Sequence, residues 1–320
     1  MTKPARPDVT PGKKGAAGIK FNLLMLIAVM TLILNCAAEG LITKAMPPRR
    51  FGEAVSVGNL ANPQINEASG LASSRIYPTV LWVINDGGND AMLYAVGIDG
   101  ADLGTFRIDG AGNYDWEALA SFQLQDTAYL LIADVGDNWE QRETSSLYVV
   151  EEPSITKTGL SEDTPVSIAW HIRFTYEDGP RDCEAVAVDA AHQRVLLLSK
   201  RSLPPVLYEL PLQPVDDDAI AVAQRVTTLP HFNWPTDMDL SPDGLSALVL
   251  TYNSVYLFPR RPDEDGSNAF DKQPQRLHFT QLNQQEAACF GFYGKSIYVT
   301  SEKRPAPLIR IDLEPDVTKP

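Results

Sequence analysis

EALAS at 117–121, YLLIA at 129–133 and SLYVV at 146–150 make up one unit, and four further copies of it run through the chain. Each copy opens on a carboxylate: EASGLA at 67–72, EAVAV at 184–188, DMDLS at 237–241 and EAACF at 286–290. The leading carboxylates are spaced 50, 67, 53 and 49 residues apart. The counterparts of YLLIA are LWVIN at 81–85, VLLLS at 195–199, ALVLT at 247–251 and SIYVT at 296–300. Those of SLYVV are LYAV at 93–96, VLYEL at 206–210, SVYLF at 254–258 and PLIRI at 307–311. Runs this short, rich in Val, Leu, Ile and Tyr and bounded by Gly, Pro, Asp and Asn, read as strands, because such side chains suit a pleated, half-buried surface.

A fourth run follows in most copies: FRID at 106–109, SIAWHIRF at 167–174, QRVTTL at 224–229 and RLHFT at 276–280. Four strands in a repeat of about 50 residues is the signature of a β-propeller blade. The expected fold is therefore all-β, a single β-propeller over 51–320 with five blades of four strands. Six blades is the alternative, because the 67-residue spacing is long, although no sixth carboxylate-led run fills it. The last copy holds only three strands, so AVSVGNL at 54–60 is expected to supply the fourth and close the ring, which removes exposed sheet edges. SPDG at 241–244 suits a tight turn between the first two strands of its copy.

Residues 1–38 read as an export signal or membrane anchor. Lys13, Lys14 and Lys20 precede an apolar stretch from Phe21 to Leu34, and small residues follow around Cys36. The stretch is short for a spanning helix, and ILNC at 33–36 has Asn where a lipobox wants a small residue. Cleavage, retention and lipidation all place the folded part outside the cytoplasm, periplasmic or secreted, with any membrane contact confined to this segment. Residues 39–50 read as a tether. The whole chain carries −14; with Lys3, Arg6, Lys13, Lys14, Lys20 and Asp8 set aside, residues 39–320 carry −18. Such a surface repels nucleic acid and favours cations or basic partners, besides serving solubility. A chain this long buries a full core without disulfides, and Cys183 and Cys289, at different offsets from their carboxylates, are expected to be buried thiols. A monomer is expected.

In a propeller the first strand of each blade lines the central channel. Glu67, Glu117, Glu184, Asp237 and Glu286 would then approach one axis, where carboxylates cannot all stay ionised unless their pKa values rise or a cation neutralises them. Hard oxygen ligands suit Ca²⁺, and Asn66, Asp115 and Asp182 stand close enough in sequence to add donors. The alternative use of these carboxylates is structural, each accepting backbone N–H bonds from the neighbouring blade. The second strands end in a polar set that includes Asp86, Asp134, Lys200, Arg201, Lys303 and Arg304. Repeat symmetry puts these on one rim, where a cation beside Lys and Arg would hold a phosphoryl or carboxylate group. The run Glu264–Ser267 lacks the EF-hand pattern and reads as a turn. No GxSxG, HExxH, CxxC or phosphate-binding glycine loop is present, and the four histidines lack metal-ligand spacing.

NEASGLA with LWVINDGG, DWEALA with YLLIADVGDN, and YEDGPRDCEAVAV with LLLSKR resemble an uncharacterised group of secreted bacterial propellers. That group is similar to the esterase-like phytase and SdiA-regulated propeller families and, more distantly, to the gluconolactonase and paraoxonase calcium enzymes. The resemblance spans 66–303 and implies a channel calcium, mapping onto Glu67, Glu117 and Glu184. It also implies hydrolysis of an ester or phosphoester, with Lys200, Arg201, Lys303 and Arg304 holding the anion. This chain offers Glu where those enzymes mix in Asn, and it has no His partner for lactone hydrolysis. The other expectation is a non-catalytic binding scaffold that engages a protein partner through Trp139 and Trp234. Partner classes are thus a small anionic ligand or a protein, and the expected cofactor is calcium.

Overall fold

The computed structural model describes residues 49–155, 164–214, 219–261 and 264–314. The export segment and nearly all of the tether lie outside the described residues. Among the described residues, no helix is long and apolar enough to cross a membrane.

The architecture is all-β, a repeat of four-stranded antiparallel meanders. Strand β1 (Phe51–Asn59) stands apart at the start. The first meander is β2 (Ala68–Ser73), β3 (Val80–Asn85), β4 (Met92–Gly97) and β5 (Asp102–Asp109). The second is β6 (Trp116–Leu124), β7 (Thr127–Asp134), β8 (Ser145–Glu151) and β9 (Thr164–Tyr176). The third is β10 (Cys183–Asp189), β11 (Arg194–Ser199), β12 (Val206–Pro211) and β13 (Ile220–Thr228). Then come β14 (Pro235–Leu240), β15 (Ser246–Thr251), β16 (Ser254–Pro259) and the short β17 (Gln275–Leu277). The last strands are β18 (Gln285–Phe290), β19 (Ser296–Ser301) and β20 (Pro307–Leu313), and β1 pairs antiparallel with β20. The apolar runs of the sequence therefore fall on strands in their expected order.

The first strands pack on one another in succession: β2 on β6, β6 on β10, β10 on β14, β14 on β18, and β18 on β2. These strands are crowded, which explains EALA, EAVA and EAAC: Ala68, Ala118, Ala185 and Ala287 are wholly buried where larger side chains would not fit. The core lies in wedges between adjacent meanders. Ala118, Leu131 and Leu147 meet Val186, Leu197 and Tyr208 in one wedge, and Leu71, Leu81 and Tyr94 meet Ala287, Cys289 and Tyr298 in another. Each such Leu contributes roughly 1.5–3 kcal/mol through the apolar area it removes from water.

One feature departs from simple meanders. Strand β9 is thirteen residues long, and its ends reach both neighbours in parallel, Phe106–Asp109 beside Thr164–Ser167 and Ile220–Ala223 beside Arg173–Tyr176. The extra length of the second repeat is thus partly spent on one long outer strand. His171 lies on it, half-buried and stacked on Tyr148 at 4.7 Å between centroids. Cys183 and Cys289 are buried and unbridged. Ser241–Gly244 forms the expected turn, closed by the Gly244 N–H donating to the Ser241 carbonyl at 2.9 Å. Glu264–Ser267 leads into a 3-10 helix, Gly266–Asp271, whose first turn is capped by Asp265 accepting from the Ser267 N–H.

Candidate metal centre at the origin of the first strands

The carboxylates sit where β2, β6, β10, β14 and β18 begin and their antiparallel partners end. At this point every first strand slips in register, between Ala68 and Gly70, Trp116 and Ala118, Cys183 and Ala185, Pro235 and Asp237, and Gln285 and Ala287. The residues inside the five slips are Ser69, Glu117, Glu184, Thr236 and Glu286. Three of the sequence-aligned carboxylates therefore hold equivalent places and two do not: Glu67 stands two residues before its slip, and Asp237 one residue after. The hydroxyls in the other two places are structural. Ser69 Oγ donates to the Trp116 carbonyl at 2.9 Å, and Thr236 Oγ1 donates to the Gln285 carbonyl at 3.2 Å. Each thereby fixes the residue just before the slip glutamate of the next meander.

A second layer follows from the backbone bonds across the slip. The Asp86 N–H donates to the Glu67 carbonyl, that of Lys200 to Asp182, that of Glu302 to Gln284, and those of Val135 and Gly136 to Asp115. Glu67, Asp115 and Asp182 are thus mutually equivalent, as are Asp86 and Lys200. The layers place Asp86, Asp115 and Glu117 together, with a carboxylate oxygen of each within 4.8 Å of the others. Glu117 is only 8% exposed, while Asp86 and Asp115 are half-buried.

Two glycines make this approach possible. A Cβ on Gly87 would lie 2.4 Å from Asp115 Oδ1, and one on Gly136 would lie 2.4 Å from Asp115 Oδ2 and 2.6 Å from Glu117 Oε1. Gly87 and Gly136, at the ends of β3 and β7, are therefore set by the carboxylates' packing, whereas Gly88, with φ +80° and open space around it, serves the turn.

Electrostatically the trio is under-neutralised. Burial raises the pKa of Glu117 well above the usual carboxylate range, Glu184, Asp86 and Asp115 push it further, and Lys200 pulls it back. Asp115 is raised to about 6 by burial and then by Asp86, against Arg142. Burial also raises Asp86, opposed by its bond to the Gly87 N–H and reinforced by Glu67. Glu286, on β18, reaches about 7 through burial, with Lys200 lowering it and Glu302 raising it.

Lys200 is the internal cation. Its Nζ donates to Glu184 Oε2 and lies 5.0 Å from the Tyr252 ring centre. Burial disfavours its charge, but Glu184 and Glu286 outweigh that and hold it protonated. Arg201 Nε sits 2.7 Å from Asp182 Oδ2, an ion pair without an aligned hydrogen bond, and its guanidinium also reaches Asn138. Asp182 Oδ1 accepts the Asp137 N–H at 3.0 Å. Asp134 is buried and braces the loop that carries Asp115: it accepts the N–H groups of Tyr114 and Asp115 and pairs with Arg142 at 2.8 Å. Glu67 accepts from Asn89 Nδ2 at 2.9 Å. Lys303 is exposed, and Arg304 donates to the Pro63 carbonyl at 2.9 Å.

Asp237 belongs to a different arrangement. It is fully buried, accepting the Met238 N–H at Oδ1 and the Ala288 N–H of β18 at Oδ2, 2.8 and 2.7 Å. Asp239 repeats this two residues on with Leu240 and Phe290, both at 2.8 Å. These carboxylates staple β14 to β18.

The donor set tests well for a hard divalent cation. Three carboxylates converge, backed by glycines that keep the approach open, with a hydrogen-bonded frame behind them. Asp115, named from the sequence as a neighbour able to add a donor, immediately precedes WEALA and sits one layer from Glu117.

No family model matches the chain, and no curated protein matches it. Among solved structures it is similar to the WD40 domain of Pan2 from Neurospora crassa, at 10% identity and a TM-score of 0.41, over 84% of this chain and 98% of that one.

Proposed function

We propose that this chain is an exported propeller protein that binds a divalent cation, calcium by donor type, at Asp86, Asp115 and Glu117. The observation that carries the reading is the convergence of those three carboxylates within 4.8 Å of one another. The propeller is read as five-bladed and closed, with β1 as the outer strand of the last blade. The β1–β20 pairing, the packing of β18 on β2 and the wedge shared by the first and last meanders support this.

Calcium bound there would polarise an ester or phosphoester oxygen. Lys200 and Arg201, on the same rim, would hold and orient the anionic group, while Asp134 and Arg142 keep the Asp115 loop in place. Glu184 and Glu286 hold the Lys200 ammonium charged for that task. Hydrolysis of such an ester is the reaction this arrangement would serve.

A second reading, a non-catalytic scaffold for a protein partner, is favoured by the exposed aromatics of the same rim. Tyr114, Trp139 and Trp234 are 72%, 82% and 55% exposed.

Calcium titration of the EDTA-treated protein, read by thermal unfolding and calorimetry, tests the cation. A ligand present at about a hundred times its Kd adds about 2.7 kcal/mol of stability. An ester and phosphoester panel in calcium then separates the two readings: turnover lost in Lys200→Ala supports the hydrolase, and calcium binding without turnover supports the scaffold. Absence of any calcium-dependent shift overturns the cation site.

A further inference from the structure

The loops around the metal centre carry apolar side chains that the fold does not use. Strands β2, β6, β10, β14 and β18 start at this mouth, so the loops leading into them share one rim with the loops that follow β3, β7, β11, β15 and β19. Tyr114, Trp139, Leu203 and Trp234 stand on four of those loops, in the second to fourth meanders, and all are exposed. Among the described residues neither Trp139 nor Trp234 stacks on another ring.

The four side chains belong to one patch. Arg142 lies 4.7 Å from the centre of the Tyr114 ring, which ties Tyr114 to the loop that carries Trp139. Arg201, two residues before Leu203, reaches Asn138 beside Trp139. Trp234 stands two residues before its slip, the place that Asp115 and Asp182 hold in the second and third meanders. Its backbone is left-handed there, φ 53°, a conformation that Gly or Asn adopts at lower cost. Gln284 holds the same place in the last meander with φ 52°, and its side chain donates to Glu302 at 2.6 Å. The fold thus sets the backbone at 234 and leaves the indole unexplained.

The charge around the patch selects its partner. VGDNWEQRET at 135–144 and EDGPRD at 177–182 each carry three carboxylates and one arginine. Arg142 is paired with Asp134 and Arg181 with Asp178, while Lys200 and Arg201 are paired with Glu184 and Asp182. Glu140, Glu143 and Glu177 are exposed and make no ion pair among the described residues. A second copy of this acidic chain, nucleic acid or an anionic bilayer would be repelled. A segment with positive charges between apolar side chains would meet both features of the rim. The anchors are spread over four loops, which suits an extended polypeptide better than a small molecule, and Trp and Tyr are the side chains that most often dominate interface energies.

Resting on the scaffold reading, we propose that this rim docks a basic segment of a protein partner. Trp139 and Trp234 are its apolar anchors, and Glu140, Glu143 and Glu177 face the Lys or Arg side chains of the segment.

The test uses the full chain and dye-labelled peptides of equal length, repeats of Lys-Leu-Gly, Ser-Leu-Gly and Glu-Leu-Gly, followed by fluorescence anisotropy. The Lys-Leu-Gly peptide should bind saturably, weaken as salt is raised, and lose about tenfold or more in affinity in Trp139→Ala/Trp234→Ala. Tyr293→Ala, exposed at the opposite mouth, should bind it like the wild type. If the double variant does not fold, Trp139→Ala alone carries the comparison. No saturable binding of the basic peptide, or equal binding by a variant with unchanged Tm, would overturn the proposal. So would a concentration-dependent dimer lost in the double variant, which would give the rim to a second copy. Binding of the uncharged or acidic peptide as tightly as the basic one overturns the basic partner; where that binding is lost in the double variant, the scaffold reading stands without it.

Discussion

Glu117 at the start of β6 and Asp237 at the start of β14 look alike in sequence, each opening a short apolar unit, and both are buried. Their surroundings differ in kind. Asp237 spends both oxygens on backbone N–H groups, one of them from the next meander; burial still raises its pKa well above the usual carboxylate range, and those N–H bonds oppose the rise. Glu117 is surrounded by Glu184, Asp86 and Asp115, with Lys200 opposing them. Burial pushes both towards the protonated form; what differs is the partner set, since a buried carboxylate that meets N–H donors holds sheets together and one that meets other carboxylates shares a site a cation could fill.

The largest effect expected from breaking this contrast is at the staple. Asp237→Ala leaves the Met238 and Ala288 N–H groups unpaired and should cost about 2–4 kcal/mol in urea unfolding, equally with and without calcium. Asp237→Asn keeps one of the two acceptors but turns an NH2 donor towards the other N–H, so it should recover only part of that cost.

Gly136→Ala comes next. The new Cβ would displace Asp115 and Glu117, so calcium affinity measured by calorimetry should fall about tenfold or more, while the calcium-free Tm changes little. Retained affinity would separate those carboxylates from the cation. Glu117→Gln should act oppositely on the two states, raising the Tm of the EDTA-treated protein by relieving repulsion and abolishing the rise on adding calcium.

A finer effect is the pH dependence at Glu286. Its folded pKa, about 7, lies above the ordinary 4.5, so the folded protein binds the proton more tightly. The stability this contributes is full below the unfolded value and is lost as pH rises through about 7. The Tm of Glu286→Gln in EDTA should therefore gain on the wild type between pH 5 and 8, and parallel Tm curves would contradict the raised pKa. The smallest effect is expected at Lys303, which is exposed; Lys303→Ala should leave stability and calcium binding unchanged, and a loss of turnover alone would place it in anion binding.

Much of the fold was legible because a strand's apolar run records its own burial. LWVIN, YLLIA, VLLLS, ALVLT and SIYVT became β3, β7, β11, β15 and β19, and AVSVGNL became the strand that pairs with β20. The site was only half legible. Glu117, Glu184 and Glu286 hold equivalent slip positions, but Glu67 and Asp237 were aligned with them by residue type alone. A one-residue offset in a strand turns the side chain to the other face, and only the pairing register reveals such an offset. Asp115 was visible as a neighbour of the repeat, yet its place beside Asp86 depends on Gly87 and Gly136 letting two loops approach.

The sequence by itself determined the all-β repeat, the strand order and the acidic character of one end, since these follow from local periodicity and composition. The tertiary structure decided which carboxylates meet carboxylates and which meet N–H groups, and that exposed aromatic side chains far apart in the chain share one rim. Those outcomes depend on register and on distances between residues tens to hundreds of positions apart, where a shift of a few ångströms turns a structural bond into an unpaired charge.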